Sequence, residues 1–248
     1  MPQEERGLGE QALNKAAEIG LSSQLDQVEE LEVDVQTNPL SAVQGNVDSV
    51  SIEGKGMVMQ GDLRVEELQV NTGSVKLNGM SAAFGKIELE QPTDATTHVV
   101  LTEQDITRAF NSEFIHTKLQ NLEVNVDGKP TTVDIQEVKF QLPGNGIKLN
   151  AQIRLQDTGE TKPVSFTATP RMSPDGERII LEDIQDQEGK DLSPELTDAL
   201  SEKASELLNL RNFQLEGMSF RLQGLDVQQG RLTLQAETHV EKFPLSEE

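Results

Sequence analysis

The chain contains no cysteine, no tryptophan and no tyrosine, and only eight phenylalanines among its 248 residues. Without cysteine there is no disulfide framework and no thiolate chemistry, and a reducing compartment is compatible. Without tryptophan and tyrosine the usual base-stacking platforms and interfacial anchors are missing. Basic residues are scarce, 21 against 43 acidic, for a formal net charge of −22. That balance repels nucleic-acid phosphates and disfavours diffuse adsorption to anionic membranes, so no nucleic-acid partner is expected. Long apolar runs are lacking too: hydrophobic residues make up 35% and mean hydropathy is −0.47. No stretch reads as a transmembrane helix, and Met1-Pro2-Gln3-Glu4-Glu5-Arg6 has neither the positive n-region nor the apolar run of a signal peptide. No asparagine is followed two positions later by serine or threonine, so N-glycosylation has no acceptor. The expectation is a cytoplasmic or peripheral membrane protein.

What the chain does contain is one short pattern, repeated. Two apolar residues at strand spacing are followed by two polar or small ones, and alternation then resumes on the opposite parity. It reads Leu63-x-Val65-Glu66-Glu67-Leu68-x-Val70, Val133-x-Ile135-Gln136-Glu137-Val138-x-Phe140-x-Leu142, and Phe213-x-Leu215-Glu216-Gly217-Met218-x-Phe220-x-Leu222. Partial copies stand at Val28-Glu29-Glu30-Leu31, Val47-Asp48-Ser49-Val50 and Ile179-x-Leu181-Glu182-Asp183-Ile184. A flat strand keeps one parity. An inserted residue that flips it is a β-bulge, and repeated bulges curve a sheet. Short strands joined by two-residue turns are the alternative, but a Glu-Glu pair is poor turn chemistry.

Three helical segments interrupt the strands. The first runs from about Gly9 to Ile19, with Leu8, Ala12, Ala16 and Ile19 along one stripe and Leu13 and Ala17 beside it. Its inward face is expected to be small enough to approach another backbone closely. The second opens at Thr102 with Asp105 three residues on, a capping-box variant, and repeats Ile106, Phe110 and Phe114 every four residues. The third begins Ser193-Pro194-Glu195 and carries Leu196, Ala199, Leu200, Ala204, Leu207 and Leu208 on a wide apolar face. Related sequences follow the helices, Leu119-Gln120-Asn121-Leu122 after the second and Leu210-Arg211-Asn212-Phe213 after the third. A helix followed by a bulged meander is thus used twice in full and once truncated, at a spacing too long for a solenoid. Turn chemistry stands at Asp127-Gly128-Lys129-Pro130, Pro143-Gly144-Asn145-Gly146 and Ser173-Pro174-Asp175-Gly176.

Catalytic equipment is not evident. His98, His116 and His239 lie on separate segments without metal spacing. Gly54-Lys55-Gly56 and Gly144-Asn145-Gly146 lack the third glycine and the strand-to-helix context of a nucleotide-binding turn. Asp183, Asp186, Glu188 and Asp191 do not have calcium-loop spacing and read as a solvated connection. No enzyme activity, metal or cofactor is expected. The segment Asn78-Gly79-Met80-Ser81-Ala82-Ala83-Phe84-Gly85 carries Met80 and Phe84 between glycines. The two side chains either fold back as a plug or project as an apolar tip for transient membrane contact. Met57 and Met59 read as core, or as adaptable wall.

The segments Leu31–Leu40 (LEVDVQTNPL), Val47–Gly56 (VDSVSIEGKG), Ser81–Lys86 (SAAFGK) and Leu101–Asn111 (LTEQDITRAFN), in that order, resemble the LmeA-like phospholipid-binding family. The resemblance spans most of the chain, from the first helix to the last strand. It implies the tubular lipid-binding fold of the bactericidal/permeability-increasing class, in which long helices pack in a highly curved antiparallel sheet around an apolar pocket. It brings no catalytic residues. Characterised relatives are exported, whereas no export signal is read in this chain.

Together these observations predict an α+β fold. Two to three helices pack against a highly curved, bulged antiparallel sheet that encloses an apolar groove or tunnel. Residues 1–248 are expected to form a single lipid-binding-like domain, with loose termini at 1–7 and 243–248. The expected function is non-catalytic binding or transfer of a membrane lipid, a phospholipid or glycolipid. Ile106, Phe110, Phe114, Phe140, Leu196, Leu200, Leu207, Met80 and Phe84 are the expected lipid-facing residues. The alternative is a structural or adaptor protein with a fully packed core and an acidic surface for a protein partner; a lipid hydrolase stands third.

Overall fold

Alternation at a period of two makes most of the chain antiparallel strand, and one sheet curls into a half-barrel. The structure, a computed structural model, describes residues 8–38, 41, 44–59, 62–78, 88–126, 129–186, 203, 204, 206, 208, 209 and 217–241. Helix α1 (Leu8–Ser22) is followed by β1 (Glu30–Gln36), β2 (Asn46–Val47), β3 (Ser49–Met59), β4 (Leu63–Thr72), β5 (Val75–Lys76) and β6 (Thr93–Thr102). Helix α2 (Glu103–Asn111), the single turn α3 (Glu113–His116) and a 3₁₀ turn (Thr117–Leu119) come next. The rest is β7 (Leu122–Val126), β8 (Lys129–Gln141), β9 (Ile147–Leu155), β10 (Thr161–Met172), β11 (Ile179–Asp186), β12 (Met218–Gln228) and β13 (Arg231–Val240). Of the third expected helix, Lys203, Ala204 and Glu206 are helical, Leu208 follows in a turn with its amide on the Ala204 carbonyl, and the rest lies outside the described residues.

The strands build a six-stranded sheet, β1-β3-β4-β6-β13-β12, a five-stranded sheet, β11-β10-β9-β8-β7, and a β2-β5 pair. The five-stranded sheet is a pure meander. In the larger sheet the last hairpin, β12–β13, returns to pair β13 with β6 along Arg231–Thr102 to Val240–Thr93.

Parity flips become bulges where a second strand must stay in register. The β8–β9 pairing shifts between Ile135 and Glu137, which makes Gln136 the extra residue. Val133 before it, and Val138, Phe140 and Leu142 after it, therefore all face one core, against the unbroken alternation of Ile147, Leu149, Ala151 and Ile153 in β9. In β11 the shift centres on Asp183, at φ 51°, a left-handed conformation that a short polar side chain tolerates. A third shift lies between Leu222 and Gly224 of β12, where Leu222-Gln223-Gly224-Leu225 repeats the pattern within the strand. The expected flip at Glu216-Gly217 lies mostly outside the described residues; Gly217, at φ 79°, precedes β12.

Three copies of the pattern are not bulges. Across Glu66-Glu67, β3 and β4 keep one register from Ser51–Asn71 to Met59–Leu63. The irregularity there belongs to Gly56 of β3, at φ 57°, close to where β4 stops pairing with β6. Asp48 marks the passage from β2, paired with β5, into β3 of the large sheet. Val28-Glu29-Glu30-Leu31 straddles the start of β1. Any break in strand continuity lets parity change, so an inserted residue, a left-handed glycine and a change of sheet leave the same trace in the sequence.

Both longer helices lie along a free strand edge. On α2, Glu103, Thr107 and Asn111 recur every four residues, and their side-chain oxygens accept the amides of Leu142 at 2.5 Å, Phe140 at 3.0 Å and Val138 at 3.1 Å. The Asn111 amide donates back to the Val138 carbonyl at 2.7 Å. On α1, Asn14 Oδ1 accepts from the Val35 amide at 2.8 Å, and the Glu18 carboxylate accepts from that of Val33. Four helical residues rise about 6 Å and two strand residues about 6.7 Å, so the two spacings match. This geometry overturns the expected orientation of the first helix. Asn14 and Glu18 face the protein, while Ile19 is 62% and Leu13 42% exposed and Ala16 is exposed as well. Strand amides that would otherwise be unpaired bind Asn14 and Glu18 more strongly than alanine-sized side chains gain from burial.

Candidate functional site

The six-stranded sheet has two unlike faces. Its register aligns Leu31, Leu68, Val99, Leu234 and Leu225 in one row, with Val33, Ile52, Val70, Thr97, Ala236 and Leu222 in the next. Val35, Val50, Ala95 and Phe220 continue the same face. Alternate positions put Glu30, Lys55, Glu67, Glu32, Glu53 and His98 on the opposite side. Val33, Ala95 and Leu222 are buried, but Leu31, Ile52, Leu68, Val70, Val99, Leu225 and Leu234 are only partly covered. Gly54 falls in the first row, and a Cβ there would collide with the Met57 sulfur. The Met57 thioether therefore lies over Gly54, and Met57 is buried core as one of its two sequence readings had it.

At one end this face runs into the packed core of the five-stranded sheet. Leu101, Leu225, Val227 and Leu234 press on that core from the large sheet, as do Ile106 and Phe110 from α2. Phe110 and Phe140 stack with ring centroids 4.7 Å apart, tilted by 48°. Ile106, Phe110 and Phe140 are the expected lipid-facing residues that the structure brings together. The Phe114 side chain, and Met80, Phe84, Leu196, Leu200 and Leu207, lie outside what is described. The rows of the large sheet did not enter the sequence-based site. Their signal was available in the alternation of Leu31-x-Val33-x-Val35 and Leu232-x-Leu234-x-Ala236.

Helix α2 is fixed at this junction by its own start. Thr102 Oγ1 accepts from the Asp105 amide at 3.1 Å, and Asp105 Oδ2 accepts from the Thr102 amide at 2.8 Å, completing the capping box. Asp105, only 2% exposed, also binds Arg64 at 2.7 Å. Glu66 at 2.7 Å and Glu29 at 3.0 Å complete a three-carboxylate ring around Arg64. Asp105 foremost, then Glu66 and Glu29, hold that guanidinium more firmly protonated than usual. An open cleft of about 630 Å³ lies here, lined by Arg64, Glu66, Thr102, Glu103, Asp105 and Arg108. A second, of about 600 Å³, is bordered by Glu18, Glu30, Glu32, Glu53, Lys55 and Glu67, with Leu31 and Leu68 beside them. Charged side chains line most of both, so neither suits an acyl chain. The apolar surface is the sheet face.

The three histidines stand apart. His239 Nδ1 pairs with Asp94 at 2.6 Å, His116 contacts Gln120 at 3.3 Å, and His98 lies opposite Gln235 in the β6–β13 ladder. Among the described residues no group of three or more His, Cys, Asp or Glu could hold a metal ion, and no helix is long and apolar enough to cross a membrane. In comparison with known families, the family model described as LmeA-like phospholipid-binding matches residues 5–237. Neither the curated proteins nor the solved structures give a match.

Proposed function

The chain belongs to the LmeA-like phospholipid-binding family, and on that premise we propose that it binds or transfers a membrane phospholipid or glycolipid without chemical change. The acyl chains lie against the apolar face of the six-stranded sheet. The observation that carries this reading is the partial cover of Leu31, Ile52, Leu68, Val70 and Val99, neighbouring apolar residues on a sheet face that runs into the packed core. Each methylene that leaves water for such a surface contributes about 0.8 kcal/mol. Ile106, Phe110 and Phe140 form the end wall, with Phe114, Leu196, Leu200, Leu207, Met80 and Phe84 as further apolar contributors. Transient membrane contact supplies and receives the lipid, and no cofactor takes part.

Native mass spectrometry of the purified protein tests the proposal. One phospholipid per chain is expected, together with saturable uptake of a fluorescent acyl probe. Val70→Phe, which fills the face, should weaken uptake about tenfold while circular dichroism is unchanged. Absence of both adduct and uptake would overturn the reading in favour of a packed adaptor.

A further inference from the structure

The apolar stripe of α1 faces away from the protein that holds it. Asn14 and Glu18 bind the free edge of β1, and Leu13, Ala16, Ile19 and Gly20 are exposed on the other side of the helix. Among the described residues the exposed large hydrophobic side chains are Leu13, Ile19, Leu21 and Met172, so all but one stand on this single helix. We propose that α1 is the element that docks the protein on the surface of an uncharged phospholipid bilayer. Three observations favour a bilayer over a protein. The outward patch, whose large side chains are Leu13 and Ile19, is far smaller than the roughly 800 Å² per partner of a stable protein pair. It is sufficient for shallow, reversible insertion of a helix lying in the interface. The helix carries Glu10, Lys15 and Glu18 in a chain of net charge −22, which makes it nearly neutral on a strongly acidic molecule. It also lies beside β1, whose Leu31, Val33 and Val35 begin the apolar sheet face, so docking there sets the lip of the lipid surface against the membrane.

The inference rests on the lipid-binding reading, and the test separates the two. Wild type and the double variant Leu13→Ser/Ile19→Ser are compared for flotation with phosphatidylcholine vesicles, for transfer of a fluorescent phospholipid between those vesicles, and for uptake of a monomeric short-chain probe without vesicles. The expected result is at least a fivefold loss of flotation and transfer in the variant, with monomer uptake and Tm unchanged. Equal flotation of the two proteins, or no flotation of the wild type, would overturn the docking role whatever the uptake result. A wild-type dimer in sedimentation that the variant loses would also overturn it, by assigning the stripe to a second copy. A fall of several degrees in Tm would mean that the stripe is packed, and the docking role would be lost. Failure of monomer uptake in the wild type, with flotation intact, would count against the lipid-binding reading alone.

Discussion

Helices α1 and α2 attach to the fold by the same device and use it to opposite ends. Each runs antiparallel to a strand edge and lends side-chain oxygens every four residues to the strand's unpaired amides. On α2 the neighbouring stripe, Ile106 and Phe110, reaches over the edge into the core. On α1 the corresponding positions hold Ala17 and Leu21, too small or too far along to reach a core, and the apolar stripe lies outside. Edge hydrogen bonds can therefore hold a helix without burying it. Such a helix is held by polar contacts and keeps outward apolar residues such as Leu13 and Ile19 available.

The strongest test of this contrast removes one apolar side chain from each helix. Phe110→Ala should destabilise the protein by about 3 kcal/mol, because it empties a site stacked on Phe140. Leu13→Ala should stay within about 0.5 kcal/mol in urea unfolding. Comparable losses at the two sites would show that α1 is packed as α2 is. A middle-sized effect is expected from the edge bonds. Asn111→Ala leaves the Val138 amide and carbonyl without their partner and should cost about 2 kcal/mol of global stability. Asn14→Ala should leave Tm nearly unchanged while hydrogen exchange at Val35 quickens, since the β1 edge becomes open to water.

The smallest effect concerns pH. The Lys15 ammonium, bonded to Glu18 at 2.8 Å, lowers that carboxyl's pKa, with burial opposing and the Val33 amide adding to the shift. The ionised form is the one bound in the folded protein, so its contribution is complete above the ordinary carboxylate pKa of about 4.3. The contribution disappears as pH falls through the depressed value. The Val33 amide resonance should shift over that acid range, and Glu18→Gln should abolish the shift. A Val33 titration that persists in the variant would mean that another group anchors this end of α1.

Much of this architecture is legible in the residues. The bulge at Gln136 can be read from apolar parity because both halves of β8 must serve one core. The capping box at Thr102 and Asp105 needs only local geometry. The orientation of α1 cannot be read in this way: a stripe of Leu13, Ala16 and Ile19 looks inward-facing until the strand that needs Asn14 and Glu18 is placed beside it. The Leu222-Gln223-Gly224-Leu225 bulge carries the same sequence signal as Gln136 and was open to the same reading. Of the expected lipid-facing residues, Phe110 and Phe140 meet across α2 and β8, a contact between distant segments that no local spacing specifies. Partial cover of the large sheet is a property of distant segments, and a leucine that fills a core is the same residue as one that lines a surface.

The return of β13 to β6 also fixes an order of events. Thr97 and Thr238 share a hydrogen bond of 2.8 Å across 141 positions of chain, whereas the five-stranded sheet closes through successive hairpins. Loop-closure entropy makes such distant pairing slow. The meander of β7–β11 can therefore form while the edge of β6 is still unpaired, and that edge waits for the last hairpin to be made. During synthesis the larger sheet is the late-closing half of the molecule, with its β6 edge exposed to strand mispairing until the C-terminal residues arrive.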